Sequence, residues 1–197
     1  MTTHHSRLYE NNTEAQRVIA DLRAAGIAAD DISLIANQGE GAGSMPGAGT
    51  AATAGAGLGA AVGGGAGLLT GLGIMAIPGV GPVVAAGWIA ATLAGMMAGA
   101  ATGAAAGGIV GALTENGIDE RDAHVFAEGI RRGGSVVLVK TDEAHRIVAE
   151  GILDQHMPVG MVARRTLYEA EGWNRFDDKG GVYVPKGTEA SRPAPRL

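Results

Sequence analysis

From Gly41 to Thr114 the chain carries no charged residue, and within that stretch glycine returns at every fourth position in two runs. Gly55, Gly59, Gly63, Gly67 and Gly71 form the first run. Gly87, Gly95, Gly99, Gly103, Gly107 and Gly111 form the second, with Ala91 standing in for one glycine. A four-residue period lays small residues along one stripe of a helix, where two backbones can come close. Between the runs lies the apolar segment Ile77-Pro78-Gly79-Val80-Gly81-Pro82, whose Pro78, Gly79, Gly81 and Pro82 are turn formers. The pattern predicts an antiparallel helical hairpin over 49–115, its first helix from Ala51 to Met75 and its second from Pro82 to Leu113. At about 1.5 Å per residue, the first is long enough for the roughly 30 Å apolar layer of a bilayer.

Glycine inside a helix costs about 1 kcal/mol relative to alanine. A helix built this way needs close backbone packing or lipid to offset that cost. Two destinations follow. The hairpin inserts in a membrane and self-associates, which is the leading expectation, or it forms the shared apolar core of a soluble homo-oligomer or shell. Alanine and glycine are only weakly lipophilic, so hydropathy leaves both open. A flexible linker fits poorly, since serine is nearly absent and the period is regular. A silk-like β stack needs period two instead.

The flanks read as one split domain, 6–36 and 118–164. Thr13 and Gln16 have capping-box spacing, and Ala15, Val18, Ile19, Leu22 and Ala25 follow helical periodicity up to Gly26. Ile32 to Ala36 reads as a strand. Ser135 to Thr141 is the clearest strand of the chain, rich in β-branched residues. Asp142 then caps a helix with Ala144, Ile147 and Val148 on one face, and Val159 to Ala163 follows as a last strand. Thr13 to Asp21 lies over Asp142 to Glu150 at one constant offset, with Glu, Ala, Arg and Ala matching. Two such units predict an α+β, ferredoxin-like βαββαβ domain, with the hairpin inserted between its second and third strands. The internal repeat places the strand at Arg7 to Tyr9 beside Ser135 to Thr141, in parallel. A linking helix opens at Asp119, carries Ala123, Phe126 and Ile130, and ends with Arg131, Arg132 and Gly133. Segment 165–187, with Trp173, Phe176, Tyr183 and Val184, is expected to dock on the domain, and 188–197 to be disordered.

Chemistry is harder to find. The net charge of −5 comes without a basic tract, which excludes a nucleic-acid partner. The chain has no cysteine, so disulfides and thiolate chemistry are absent. His124, His145 and His156 lack metal-ligand spacing. Gly39-Glu40-Gly41-Ala42-Gly43 lacks the Lys-Ser/Thr of a phosphate loop. No catalytic, cofactor-binding or metal site is expected, and the reading is non-enzymatic, with the chain itself and a membrane as partners. The polar start Met1 to Ser6 has no apolar signal core. Arg121, Arg131 and Arg132 follow the second helix. Together they predict an inner-membrane protein with both termini cytoplasmic, or a cytoplasmic one in the soluble alternative.

Three segments resemble a known family in their order and spacing. They are Tyr9-Glu10 through Ile32-Ser33-Leu34-Ile35-Ala36, then Ala76 through Gly87, then Ala127-Glu128-Gly129-Ile130-Arg131-Arg132-Gly133-Gly134. They look like bacterial YflT-type general stress proteins, also called heat- or low-temperature-induced stress proteins, over roughly residues 6–160. The resemblance implies a bacterial stress-response role and no catalytic residue. A third reading, a small-molecule regulatory module, rests on analogy with other ferredoxin-like sheets.

Overall fold

The computed structural model describes residues 3–37, 73–77, 79–100, 108–181 and 183. The first glycine run, Gly55 to Gly71, lies outside the described residues, as do Pro78, Gly103, Gly107, Val184 and segment 188–197. The elements are β1 (Thr3–Tyr9), α1 (Asn12–Ala24), a 3-10 turn (Ala29–Asp31), β2 (Ile32–Asn37), β3 (Gly73–Ile77) and β4 (Gly81–Ala86). Then come α2 (Trp88–Ala100), α3 (Gly108–Glu115), α4 (Glu120–Arg131), β5 (Ser135–Thr141), α5 (Glu143–Gln155) and α6 (Met161–Ala170). The fold is α+β. Its five strands form one sheet in the order β1-β5-β2-β4-β3, every neighbouring pair antiparallel.

β5 is central because its sequence suits burial on both faces. Side chains alternate across a strand. Val136 and Leu138 enter the core shared with α2, α3 and α4, while Val137 and Val139 enter the core beneath α1 and α5. β2 is buried along its whole length for the same reason, with Ile35 on the first side and Ile32 and Leu34 on the second. The sheet is therefore a middle layer between two layers of helices.

β1 lies beside β5 as the repeat predicts, but antiparallel, with Thr3 opposite Thr141 and Tyr9 opposite Ser135. β2 takes the other side of β5, also antiparallel. β1 and β2 thus run parallel to each other with β5 between them, and α1 supplies the crossover that parallel strands require. α1 and α5 lie on the same face and contact one another, so the repeated sequence becomes two strand-helix units around one layer.

The helical hairpin is corrected at its turn. Gly73–Ile77 and Gly81–Ala86 are strands paired with each other, and β4 continues the pairing onto β2. The Val80 N–H donates to the Ile77 carbonyl at 3.0 Å, closing a four-residue turn. Gly79, third in that turn, has φ +77°, the conformation a type II turn demands there. Val83 and Val84 are β-branched and buried, which favours a strand over a glycine-striped helix. The second helix accordingly starts at Trp88, not Pro82.

Three local expectations also change. Asn11, not Thr13, caps α1; its side chain accepts from the Glu14 N–H at 3.0 Å. Val159 to Ala163 forms no strand. The Val159 N–H donates to the Leu8 carbonyl on β1 at 2.8 Å, and then Gly160 opens α6. α5 turns Ala149 and Leu153 to the core, leaving Ile147 and Val148 exposed. Asp142 caps α5 as expected, accepting from the His145 N–H at 2.9 Å.

His5 on β1 is buried against Thr141 and Glu150, with Nε2 3.1 Å from the Thr141 hydroxyl and Nδ1 3.4 Å from the Glu150 carboxylate. Burial holds the imidazole below its ordinary value of 6.5; Glu150 opposes this, and Arg7, Arg146 and His4 add to it. A depressed histidine means the unfolded chain takes up the proton first. Stability should therefore be full above 6.5 and fall as pH drops through that value toward the folded one. Thermal melts across this window should show a shallower pH slope for His5→Gln than for the unaltered chain.

Candidate functional site

The described members of the second glycine run fall in three places: Gly87 before α2, Ala91, Gly95 and Gly99 within it, and Gly111 in α3. Gly87 has φ +78° at the junction of β4 and α2. A Cβ there would meet Ser33 Oγ at 2.5 Å and Ser33 Cα at 2.9 Å, and would fall deep inside contact distance of the Ile32 carbonyl oxygen. This close approach lets Ser33 Oγ accept from the Ile89 N–H at 3.3 Å, which fixes the start of α2. Ile89 and Leu93 are buried against the sheet. On the opposite side of α2, Ala91, Ala94 and Gly95 are exposed. An added Cβ at Gly95 meets nothing within 4 Å. Gly99 lies in the same helix, and Gly111 lies partly buried in α3, where its carbonyl accepts from the Thr114 hydroxyl at 3.0 Å.

Of the turn residues, Gly81 has φ +95° at the head of β4, and Pro82 is exposed beside it. Gly79 is covered by the C-terminal segment: a Cβ on it would meet the Asp177 carbonyl oxygen at 2.6 Å. Among the described residues, the glycines thus serve a β-turn, a strand start, a helix-strand contact and two helices. Among the described positions of the glycine runs, Ala91 and Gly95 are exposed, and with Ala94 they form a small-residue face on α2.

A second constellation fastens the segment after α6. Glu128 on α4 is only 1% exposed. Arg131 grips it with two hydrogen bonds, Nε to Oε2 at 2.8 Å and Nη2 to Oε1 at 2.7 Å, and Arg132 Nε donates to Oε1 at 2.7 Å. Arg132 also pairs with Glu171 and stacks over Tyr168 and Tyr183, 4.1 and 4.6 Å from the ring centroids. Arg131 donates to the Gly181 carbonyl at 3.2 Å. Phe176 is buried in the core on the same side of the sheet. The sequence reading assigned the two arginines to the helix terminus and passed over Glu128. The Glu-x-x-Arg-Arg spacing, which sets both cations one turn from the carboxylate, was the available signal.

Among the described residues no helix is long and apolar enough to cross a membrane. No group of three or more His, Asp or Glu side chains among them is placed to hold a metal ion. No protein-family model matches the chain, and neither a curated protein nor a solved structure does.

Proposed function

We propose that this chain is a non-enzymatic bacterial stress-response protein that self-associates through its alanine- and glycine-rich segment, with the α2 face of Ala91, Ala94 and Gly95 as part of the contact. One observation carries the reading. Gly95 sits inside a helix with an exposed, open Cβ position. A glycine there costs about 1 kcal/mol relative to alanine. No contact with the described part of its own chain offsets that cost; packing against a second helix would, because a backbone can approach only where side chains are small. The face is also free of charge, unlike the outer side of α5 with its Glu143, Arg146 and Glu150 pairs.

The stress role is supported by the likeness to YflT-type proteins in the Tyr9 to Ala36, Ala76 to Gly87 and Ala127 to Gly134 segments. A ferredoxin-like ancestry for the β1-α1-β2 and β5-α5 units is supported by the strand order β1-β5-β2 and by the two helices sharing a face. Where a fourth strand would run along β1, the chain makes the single Val159 N–H to Leu8 carbonyl bond, and α6 packs on α4. Because the turn between the glycine runs belongs to the sheet, assembly between soluble copies is favoured over a spanning hairpin.

Sedimentation equilibrium tests this reading. The unaltered chain should be an oligomer without lipid or detergent. Gly95→Leu should shift it toward monomer, while circular dichroism and the melting temperature of the domain stay unchanged. A wild-type chain that is monomeric throughout the accessible concentration range refutes the proposal. A chain that floats with lipid vesicles and associates only there returns the membrane reading in its place.

A further inference from the structure

A cleft of about 340 Å³ lies between α4, α6 and the segment that follows α6, lined by Arg121, His124, Arg165, Glu169, Trp173 and Asn174. Its volume is at the small end of ligand pockets. Two of its side-chain nitrogens, His124 Nδ1 and Trp173 Nε1, are buried without a hydrogen-bond partner. Buried donors left unpaired are costly and rare. Two carboxylates behind the cleft face other side chains, while Glu169 stands in its lining. Asp122 accepts from Arg165 Nη2 at 2.9 Å, and Glu120 lies 3.9 Å from His124 Nε2. The guanidinium of Arg121 is exposed and has no partner among the described residues. Trp173 is held in place edge-on against Tyr168, with ring centroids 5.6 Å apart, and its backbone N–H donates to the Tyr168 carbonyl at 3.0 Å, leaving the indole N–H unpaired.

We propose that this cleft binds a small organic carboxylate. The indole N–H and the guanidinium of Arg121 only donate, so both call for an oxygen acceptor. A charged acceptor makes the stronger bond with each. Glu169 at the rim, with Asp122 and Glu120 behind, makes a doubly charged phosphate unfavourable and selects a single negative charge. The Trp173 ring gives an apolar or aromatic body a surface to lie against. The site is separate from the α2 face, and its occupancy does not depend on self-association.

The test uses the full chain and follows the indole N–H resonance of Trp173, assigned with Trp173→Phe, in proton–nitrogen correlation spectra. The probes are benzoate, phenyl phosphate, inorganic phosphate and benzyl alcohol. Benzoate should move the resonance saturably at millimolar concentration, with phenyl phosphate weaker and the other two without saturable effect. Arg121→Gln, which removes an exposed side chain free of partners, should leave the remaining spectrum intact and weaken benzoate roughly tenfold or more, the loss of one charge-assisted hydrogen bond. No saturable shift with benzoate overturns the proposal. So does equal binding of benzyl alcohol, tighter binding of phenyl phosphate or inorganic phosphate, or an unchanged affinity in Arg121→Gln.

Discussion

Gly87→Ala should destabilise the domain by on the order of 3–5 kcal/mol, enough to unfold a large share of the molecules at physiological temperature. Two penalties combine. The backbone at φ +78° is strained for any residue with a side chain. The new methyl also collides with main-chain atoms of Ile32 and Ser33, which belong to β2 and cannot yield without disturbing their pairing to Val139 and Leu138 of β5. Gly26→Ala is the matched control. Gly26 has φ +89° but nothing within 4 Å of the added carbon, so only the backbone strain remains, on the order of 1 kcal/mol. Urea unfolding of both variants separates the terms. Equal losses at the two positions would remove the close contact from the account.

Glu128→Ala is the second large effect. The carboxylate is nearly inaccessible and takes three hydrogen bonds from Arg131 and Arg132. Removing it leaves two largely buried cations without that partner, which typically costs 3–5 kcal/mol, so roughly that loss is expected. The effect should also be local in a measurable way. Arg131 and Arg132 hold Gly181, Tyr183 and Glu171, so their release should free the C-terminal segment. Limited proteolysis should cut between Glu171 and Gly181 in Glu128→Ala before the rest of the chain is attacked. Glu128→Gln keeps the shape but not the charge, and should fall between the two. If proteolysis of the variant begins elsewhere and spares this segment, the arginines do not anchor it.

What was legible in the sequence was local and strongly patterned. β5 is announced by its β-branched run, α1 by its periodicity and Gly26, α4 by the Asp119 cap, and α5 by Asp142. The turn at Gly79 was legible, but the helices were carried too far, into residues 73–75 and 82–86, which lie beyond the glycine runs. There the branched pair Val83-Val84 and pairing across the Gly79 turn favour strands. The direction of β1 against β5 was misread: a helical crossover makes β1 and β2 parallel, so a strand between them that is antiparallel to β2 is antiparallel to β1 as well. Burial of Ala149 and Leu153 in place of Ile147 and Val148 shows a limit on a helix, where a rotation of one residue moves the buried face. Of the α4–α6 cleft, Arg165 with Trp173 and Asn174 were legible as a candidate partner group, with local docking of the tail the favoured reading; Arg121 and His124 were not, because they come from a segment far away in the chain.

The strand order also governs how the chain must be made. β5 occupies the middle of its half of the sheet, yet it is the last strand synthesised among the described residues, and Thr3 waits for Thr141 before it can pair. While β1, α1 and β2 emerge from the ribosome, they have no strand to join them, and the uncharged glycine-rich stretch follows them out. Contacts so distant in sequence slow folding, and unpaired strands beside an apolar stretch invite association between nascent chains. A protein arranged this way should refold slowly from denaturant and lose yield to aggregation as its concentration rises.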